Sequence, residues 1–193
     1  MSPILGIYAS QISGHLFAPS GAYDSIATAT GTGSSSTITF SSIPSTYTHL
    51  QLRYVGRDDR SSVVTDAFVC TFNGDTGSNY MEYLLLQGDG STASASAGSA
   101  SNTNILLGSI PAASALASTV AVGVVDILDY ANVNKYKTTR NLMGFDYNGS
   151  GTVRVISGLW KSTSAISSIT LTTGTGSNWT GATQFALYGI KGN

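Results

Sequence analysis

The stretch STITFSSIPSTYTHLQLRYV (36–55) holds two alternating runs, STITF (36–40) and HLQLRYV (49–55), on either side of a proline turn. In the second run Leu50, Leu52 and Tyr54 fall on one face while His49, Gln51 and Arg53 fall on the other, which is the period of a half-buried strand. Pro44 has no ladder donor and biases Ile43 towards extended backbone, so Ile43-Pro44-Ser45 ends one strand and turns the chain into the next.

The same texture recurs in AFVCTF (67–72), MEYLLL (81–86), NILLGSI (104–110), VAVGVVDILDY (120–130) and TTRNLMGFDY (138–147), and again in TVRVIS (152–157), SSITLTT (167–173) and QFALYGI (184–190). These runs are rich in Val, Ile, Thr, Leu and Tyr and are bounded by turn formers. No stretch of a dozen residues carries a helical stripe. Asn73-Gly74 and Asn148-Gly149 tolerate positive φ between alternating runs, which predicts a hairpin at each. ATGTGSSST (29–37) and GDGSTASASAGSASN (88–102) lack the apolar area to offset their ordering entropy and read as surface loops. About ten short strands with such punctuation predict an all-β fold, a two-sheet β-sandwich with a jelly roll as the expected winding.

Charged residues are only 10% of the 193, formal net charge is -1, and 41% of the chain is hydrophobic. That is enough apolar material for a core and too little basic charge to release counterions from a phosphate backbone, so no nucleic-acid partner is expected. The nearest approach to a basic cluster, Arg53, Arg57 and Arg60, is neutralised by Asp58 and Asp59 and reads as a solvated polar loop after a strand. No window supplies the roughly 20 apolar residues of a spanning helix, so no membrane partner is expected.

The search for chemistry ends without a catalytic constellation. His49 shares an outward strand face with Gln51 and Arg53, and His15 has no second histidine near it. The single Cys70 sits in an alternating strand, where a buried inert thiol is the expectation. Asp126 and Asp129 are odd-spaced and would point to opposite faces of an unbroken strand. NGDTGSN (73–79) lacks the closing carboxylate of a calcium loop, since Leu84 stands at that position. No cofactor or metal is expected. Trp160 and Trp179 read as core residues; in the alternative, Trp179 with Asn178, and Trp160, contact a host glycan.

The opening MSPILGIYASQISGHLF (1–17) carries no Lys, Arg, Asp or Glu, yet holds seven sizeable apolar side chains. It lacks the basic start and continuous apolar core of a signal peptide. Burial of those side chains yields about 10–20 kcal/mol. Ordering seventeen residues costs roughly 17–34 kcal/mol. Apolar burial alone does not order this stretch, so backbone pairing is expected as well, most simply a strand added to a neighbour's sheet edge. Residues 1–22 therefore read as a docking arm, with Ile4, Leu5, Ile7, Tyr8 and Ile12 as anchors, and 23–193 as the sandwich domain.

YDSIATAT (23–30), ITFSSIPSTYTHLQLRY (38–54), FNGDTGSNY (72–80), ILDYANVNKYKTTR (127–140), NGSGTVRVISGLWKSTSAISSITLT (148–172) and FALYGIKG (185–192) together resemble a group of small tailed-phage virion proteins. SPILGI (2–7) is similar to the start of such proteins. The resemblance implies a non-enzymatic structural component, with no catalytic residues to carry over. The first expectation is a capsid decoration or cement protein on the outer surface of the virion, a homotrimer that bridges capsomers and has itself and the major capsid protein, or another virion protein, as partners. The alternative is a tail or head fibre, an adhesin that binds host-surface glycans. A polysaccharide hydrolase stands as a third class.

Overall fold

The computed structural model describes residues 21–192. In chain order the strands are β1 (Tyr23–Thr30), β2 (Thr37–Phe40), β3 (His49–Gly56), β4 (Thr65–Phe72), β5 (Tyr80–Gly88) and β6 (Ala93–Ala97). They continue with β7 (Ile105–Pro111), β8 (Ala121–Leu128), β9 (Lys137–Asp146), β10 (Gly151–Trp160), β11 (Ile169–Thr173) and β12 (Gln184–Ile190). All pairings are antiparallel, in an eight-stranded sheet ordered β1-β12-β3-β8-β9-β10-β5-β6 and a four-stranded sheet ordered β2-β11-β4-β7. The molecule is an all-β two-sheet sandwich.

Four strand pairs nest one inside the next along the chain: β1 with β12, β2 with β11, β3 with β8, and β4 with β7. The pairs alternate between the two sheets. β5 and β6 are inserted between β4 and β7, and β9 and β10 between β8 and β11; together these four strands extend the large sheet beyond β8. The extension passes over the β7 edge of the small sheet, where the Asn141 side-chain amide donates to the Leu107 carbonyl. A side-chain partner of this kind blunts an otherwise open strand edge.

The core between the sheets is built by the alternation read from the sequence. Leu50, Leu52 and Tyr54 of β3 face Phe68, Cys70 and Phe72 of β4, with Val125, Ile127, Leu171, Phe185 and Leu187 around them, all buried. Phe68 is edge-on to Tyr54 at 4.8 Å and to Trp179 at 5.4 Å, and Trp179 is edge-on to Phe185 at 5.1 Å. Such edge-to-face pairs add to area burial.

The outer face of the small sheet has a different chemistry. Thr37 and Thr172, and Thr39, Thr170 and Thr71, stand side by side across β2, β11 and β4, and the hydroxyls of Thr39 and Thr170 lie 3.2 Å apart.

One turn expectation holds, and two expectations change. Asn148-Gly149 does turn the β9–β10 hairpin, with φ of 65° and 92°. Asn73-Gly74 has the expected positive φ, 53° and 68°, but it sends the chain from the small sheet to the large one rather than closing a hairpin. Asn73 is held there because its Oδ1 accepts from the backbone N–H groups of Ser167 and Ser168. The segment 88–102 is not all loop: Ala93–Ala97 forms the exposed edge strand β6, paired to β5. Backbone pairing supplies the stabilisation that its small side chains lack.

Candidate docking face

From Ala121 to Val125, β8 is apolar on both of its faces. Ala121, Val125 and Ile127 are buried in the core, while Val122 and Val124 point outward. The register of the extension then aligns outward residues in rows. One row runs Val55, Val122, Gly144, Val153; the next runs Arg53, Val124, Leu142, Val155, Leu86. Val122, Leu142 and Val153 are each more than half exposed, at 53%, 56% and 57%.

These side chains line a shallow groove of about 820 Å³ on the outer face of the large sheet. Gly144 leaves a hollow between Val122 and Val153; a Cβ there would come within 3.3 Å of the Val153 side chain. With strands about 4.8 Å apart, the apolar rows span roughly 19 Å from β3 to β5. An uncovered apolar patch of a few hundred Å² on a single chain is often functional.

Charge is kept to one border. The third row is Gln51, Asp126, Arg140 and Ser157. There Gln51 Nε2 donates to Asp126 Oδ1 at 2.8 Å and Arg140 Nη2 to Asp126 Oδ2 at 3.3 Å. Arg53, the one charged side chain within the apolar rows, is drawn to the same border. Its Nε donates to Gln51 Oε1 at 2.8 Å and its guanidinium lies 5.0 Å from the Tyr188 ring centre and 5.4 Å from that of Tyr23. The partly exposed ion pair contributes little stability. Arg53 still lines the groove, and its contacts with Gln51, Tyr188 and Tyr23 confine the one charge there to the border.

The anchors Ile4, Leu5, Ile7, Tyr8 and Ile12 lie outside the described residues. Trp160 and Trp179 are buried, Trp179 against Phe68 and Phe185, and Trp160 stacked on Tyr80 at 6.4 Å. Neither presents a ring face to solvent, which removes the glycan contact of the alternative reading. Asn178 is likewise committed, with its backbone and side-chain N–H groups donating to the Asp59 carboxylate at 2.7 and 3.0 Å. His49 faces outward as expected, and its Nδ1 accepts the Asp129 backbone N–H at 2.9 Å. Cys70 is buried, and burial pushes its thiol well above the ordinary range. The Asp75 carboxylate is held below its ordinary range by the Trp160 indole N–H, with Gly77 and Asn79 as further donors. Among the described residues no three His, Cys, Asp or Glu side chains gather to hold a metal ion.

The charged segment after β3 is no solvated loop. Arg57 donates to the carbonyls of Leu116, Thr119 and Ala115 at 3.0, 2.8 and 3.3 Å, and Arg60 Nη1 to Asp66 Oδ1 at 2.9 Å. Asp58 is fully buried and its Oδ2 finds no donor among the described residues. Burial, and then the neighbouring Asp66, push the Asp58 carboxyl up to about 7. Burial would raise Asp66 too, but donors on Thr175 and the Ala67 backbone, together with Asp58 and Arg60, hold it low. The two carboxyls are thus driven apart, Asp58 towards the protonated form and Asp66 towards the ionised one, which favours a single negative charge over two at this buried end of the sandwich.

Sequence alternation found the inward residues of this face but not the outward ones. The missed signal was in VAVGVVDILDY (120–130), where both parities are apolar in an antiparallel fold whose strands usually keep one face polar. No protein-family model, curated protein or solved structure matches the chain.

Proposed function

We propose that this protein is a non-enzymatic structural component of a phage particle, a decoration or cement protein that seats the outer face of its large sheet on the major capsid protein and bridges capsomers. The carrying observation is the largely apolar groove over Val122, Val124, Leu142 and Val153, with Arg53 as its one charged lining residue. The resemblance of the chain to small tailed-phage virion proteins supports the same reading, as does the two-sheet body. The nested pairing β1–β12, β2–β11, β3–β8 and β4–β7 supports a jelly-roll winding. In that winding β5, β6, β9 and β10 are insertions that build the docking face.

The magnitudes favour several faces acting together. A face on the order of 400 Å² yields about 10 kcal/mol at 25 cal/mol per Å². The cost of lost translational and rotational freedom is roughly 4–15 kcal/mol. One face alone is marginal. A homotrimer loses rigid-body freedom once and engages three faces, and an arm of residues 1–22 pairing with a neighbour's sheet edge adds backbone hydrogen bonds.

The test is reconstitution. Purified protein added to particles that lack it is expected to bind the head in several hundred copies on the order set by capsomer number and to raise the temperature at which the particles release DNA. Deletion of residues 2–17 is expected to leave the sandwich folded and to abolish decoration. A few copies located at the tail, or particles equally heat-resistant with and without the protein, would overturn the cement reading; the tail location would leave the fibre reading in its place.

A further inference from the structure

The geometry points to a second binding site, a polar cleft floored by Arg154 that takes an acidic saccharide through its carboxylate. β10 turns Val153 and Val155 to the docking face and Arg154 to the opposite side, where the extension passes the β7 edge. Arg154 lines a cleft of about 310 Å³ there, with Ser109, Phe145, Tyr147, Ser150 and Thr152.

The guanidinium is incompletely matched. Its Nη1 donates to Ser109 Oγ at 2.7 Å, while Nε is buried with no acceptor among the described residues. All ten Asp and Glu residues of the chain lie among the described residues, and none forms an ion pair with Arg154. Asp89 lines the same cleft but is saturated within its own turn. Its Oδ1 accepts from the Ser91 and Thr92 backbone N–H groups and the Ser91 hydroxyl, and its Oδ2 from the Thr92 hydroxyl. An arginine keeps its charge when partly desolvated, and its planar fork matches a carboxylate through two parallel hydrogen bonds.

The surroundings select a sugar over an acidic peptide. Phe145 and Tyr147 stack on each other at 5.8 Å and 19° and both line the cleft, which gives it an aromatic border against which a pyranose ring can pack. Ser109 Oγ accepts from Arg154 and keeps its own proton to donate, Ser150 Oγ donates to the Tyr147 hydroxyl at 3.1 Å and can still accept, and Thr152 adds a third hydroxyl, which suits a ligand whose own hydroxyls both donate and accept. The volume is at the lower end for small-molecule sites and fits one or two sugar rings. Because the cleft opens away from Val153 and Leu142, it stays accessible when the docking face is covered, and it stands or falls separately from the cement reading.

The experiment titrates the full chain with oligomers of galacturonate, glucuronate and N-acetylneuraminate, using neutral galactose oligomers and hexaglutamate as controls. Calorimetry and the arginine Nε–H resonances give the readout. Saturable binding of at least one acidic oligosaccharide is expected, on the order of tenfold or more tighter than the neutral oligomer, as loss of a charge-assisted pair implies. Arg154→Gln is expected to remove that preference, Arg154→Lys to weaken it, and Tyr147→Ala to weaken acidic and neutral sugars alike. Leu142→Arg is expected to leave binding unchanged. Equal affinity for the neutral oligomer, affinity for hexaglutamate matching that for the sugars, or no saturable binding by any acidic oligosaccharide would overturn the proposal. If Arg154→Gln fails to fold, Arg154→Lys and Tyr147→Ala decide it on the intact sandwich.

Discussion

The two outer faces of the sandwich are made from side chains of nearly the same shape. On the small sheet the outward positions are mostly threonine, Thr37, Thr39, Thr71, Thr170 and Thr172, with Val69 and Leu106 beside Thr172; on the large sheet the apolar rows carry Val122, Val124, Val153 and Val155 with Leu142 and Leu86. Val and Thr are both β-branched and equally suited to a pleated strand, so strand propensity does not explain the choice. The difference is a hydroxyl in place of a methyl, which lets one face stay in water at no cost and leaves the other with surface that gains by being covered. The chain thus makes a solvent-facing sheet on one side and withholds that chemistry on the other.

This comparison breaks if the exposed valines hold the fold together instead of serving a partner, and the core is the reference for that. Trp179→Ala removes the ring packed edge-on against Phe68 and Phe185 and is expected to cost about 3–5 kcal/mol in urea unfolding. Trp179→Phe also removes an indole N–H that has no acceptor among the described residues, so its cost should be well below that of the alanine variant. A loss on the Trp179→Ala scale from any outward valine would erase the distinction between the faces.

A pH titration loosens the sandwich without touching either outer face. Asp58 binds its proton more tightly folded than unfolded, so its contribution is fully present below about pH 4 and is lost as pH rises through about 7. Native-state stability should fall by roughly 2–4 kcal/mol across that window. Asp58→Asn mimics the protonated acid and should flatten this part of the profile, the wild-type minus variant difference isolating Asp58 from other titrating groups. A wild-type profile that rises from pH 4 to 7 relative to Asp58→Asn would show that the carboxyl is not held protonated. Decoration of particles should not follow this pH trend while the protein remains folded.

How much of this was legible follows from what alternation reports. In HLQLRYV it separated Leu50, Leu52 and Tyr54 from Gln51 and Arg53, and with nine similar runs that was enough for the two-sheet sandwich. Alternation reads one strand at a time, so it could not place Asn73-Gly74 between sheets: a positive-φ turn looks the same whether its flanking strands pair or part. Composition misled at 88–102 because β6 is stabilised by backbone pairing to β5, to which Ala and Ser side chains add little. The polar cluster after β3 looked solvated because charge in a sequence says nothing about the loops that close over it, here those carrying Leu116 and Thr175. The apolar face was half visible: both parities of β8 are hydrophobic, but its neighbours Leu142 and Val153 come from strands whose register the sequence alone does not give.

The smallest expected effect on stability is the sharpest test of the comparison. Val122→Thr, Val124→Thr and Val153→Thr together give the large sheet the outer chemistry of the small one while keeping branching and volume. Because all three side chains are at least a third exposed, their new hydroxyls bond to water, and the combined change in unfolding free energy should stay within about 1 kcal/mol, as for surface substitutions generally. Docking is another matter, since the same hydroxyls would have to leave water without a partner, at about 1–3 kcal/mol each. Three of them on each of several faces should abolish particle binding in a sedimentation assay. Thr170→Val on the small sheet is the reciprocal control, expected to change stability by a few tenths of a kcal/mol and binding not at all. If the triple variant still decorates particles, the apolar face is not the docking surface; if it unfolds, the valines belong to the fold and the contrast with the threonine face has another cause.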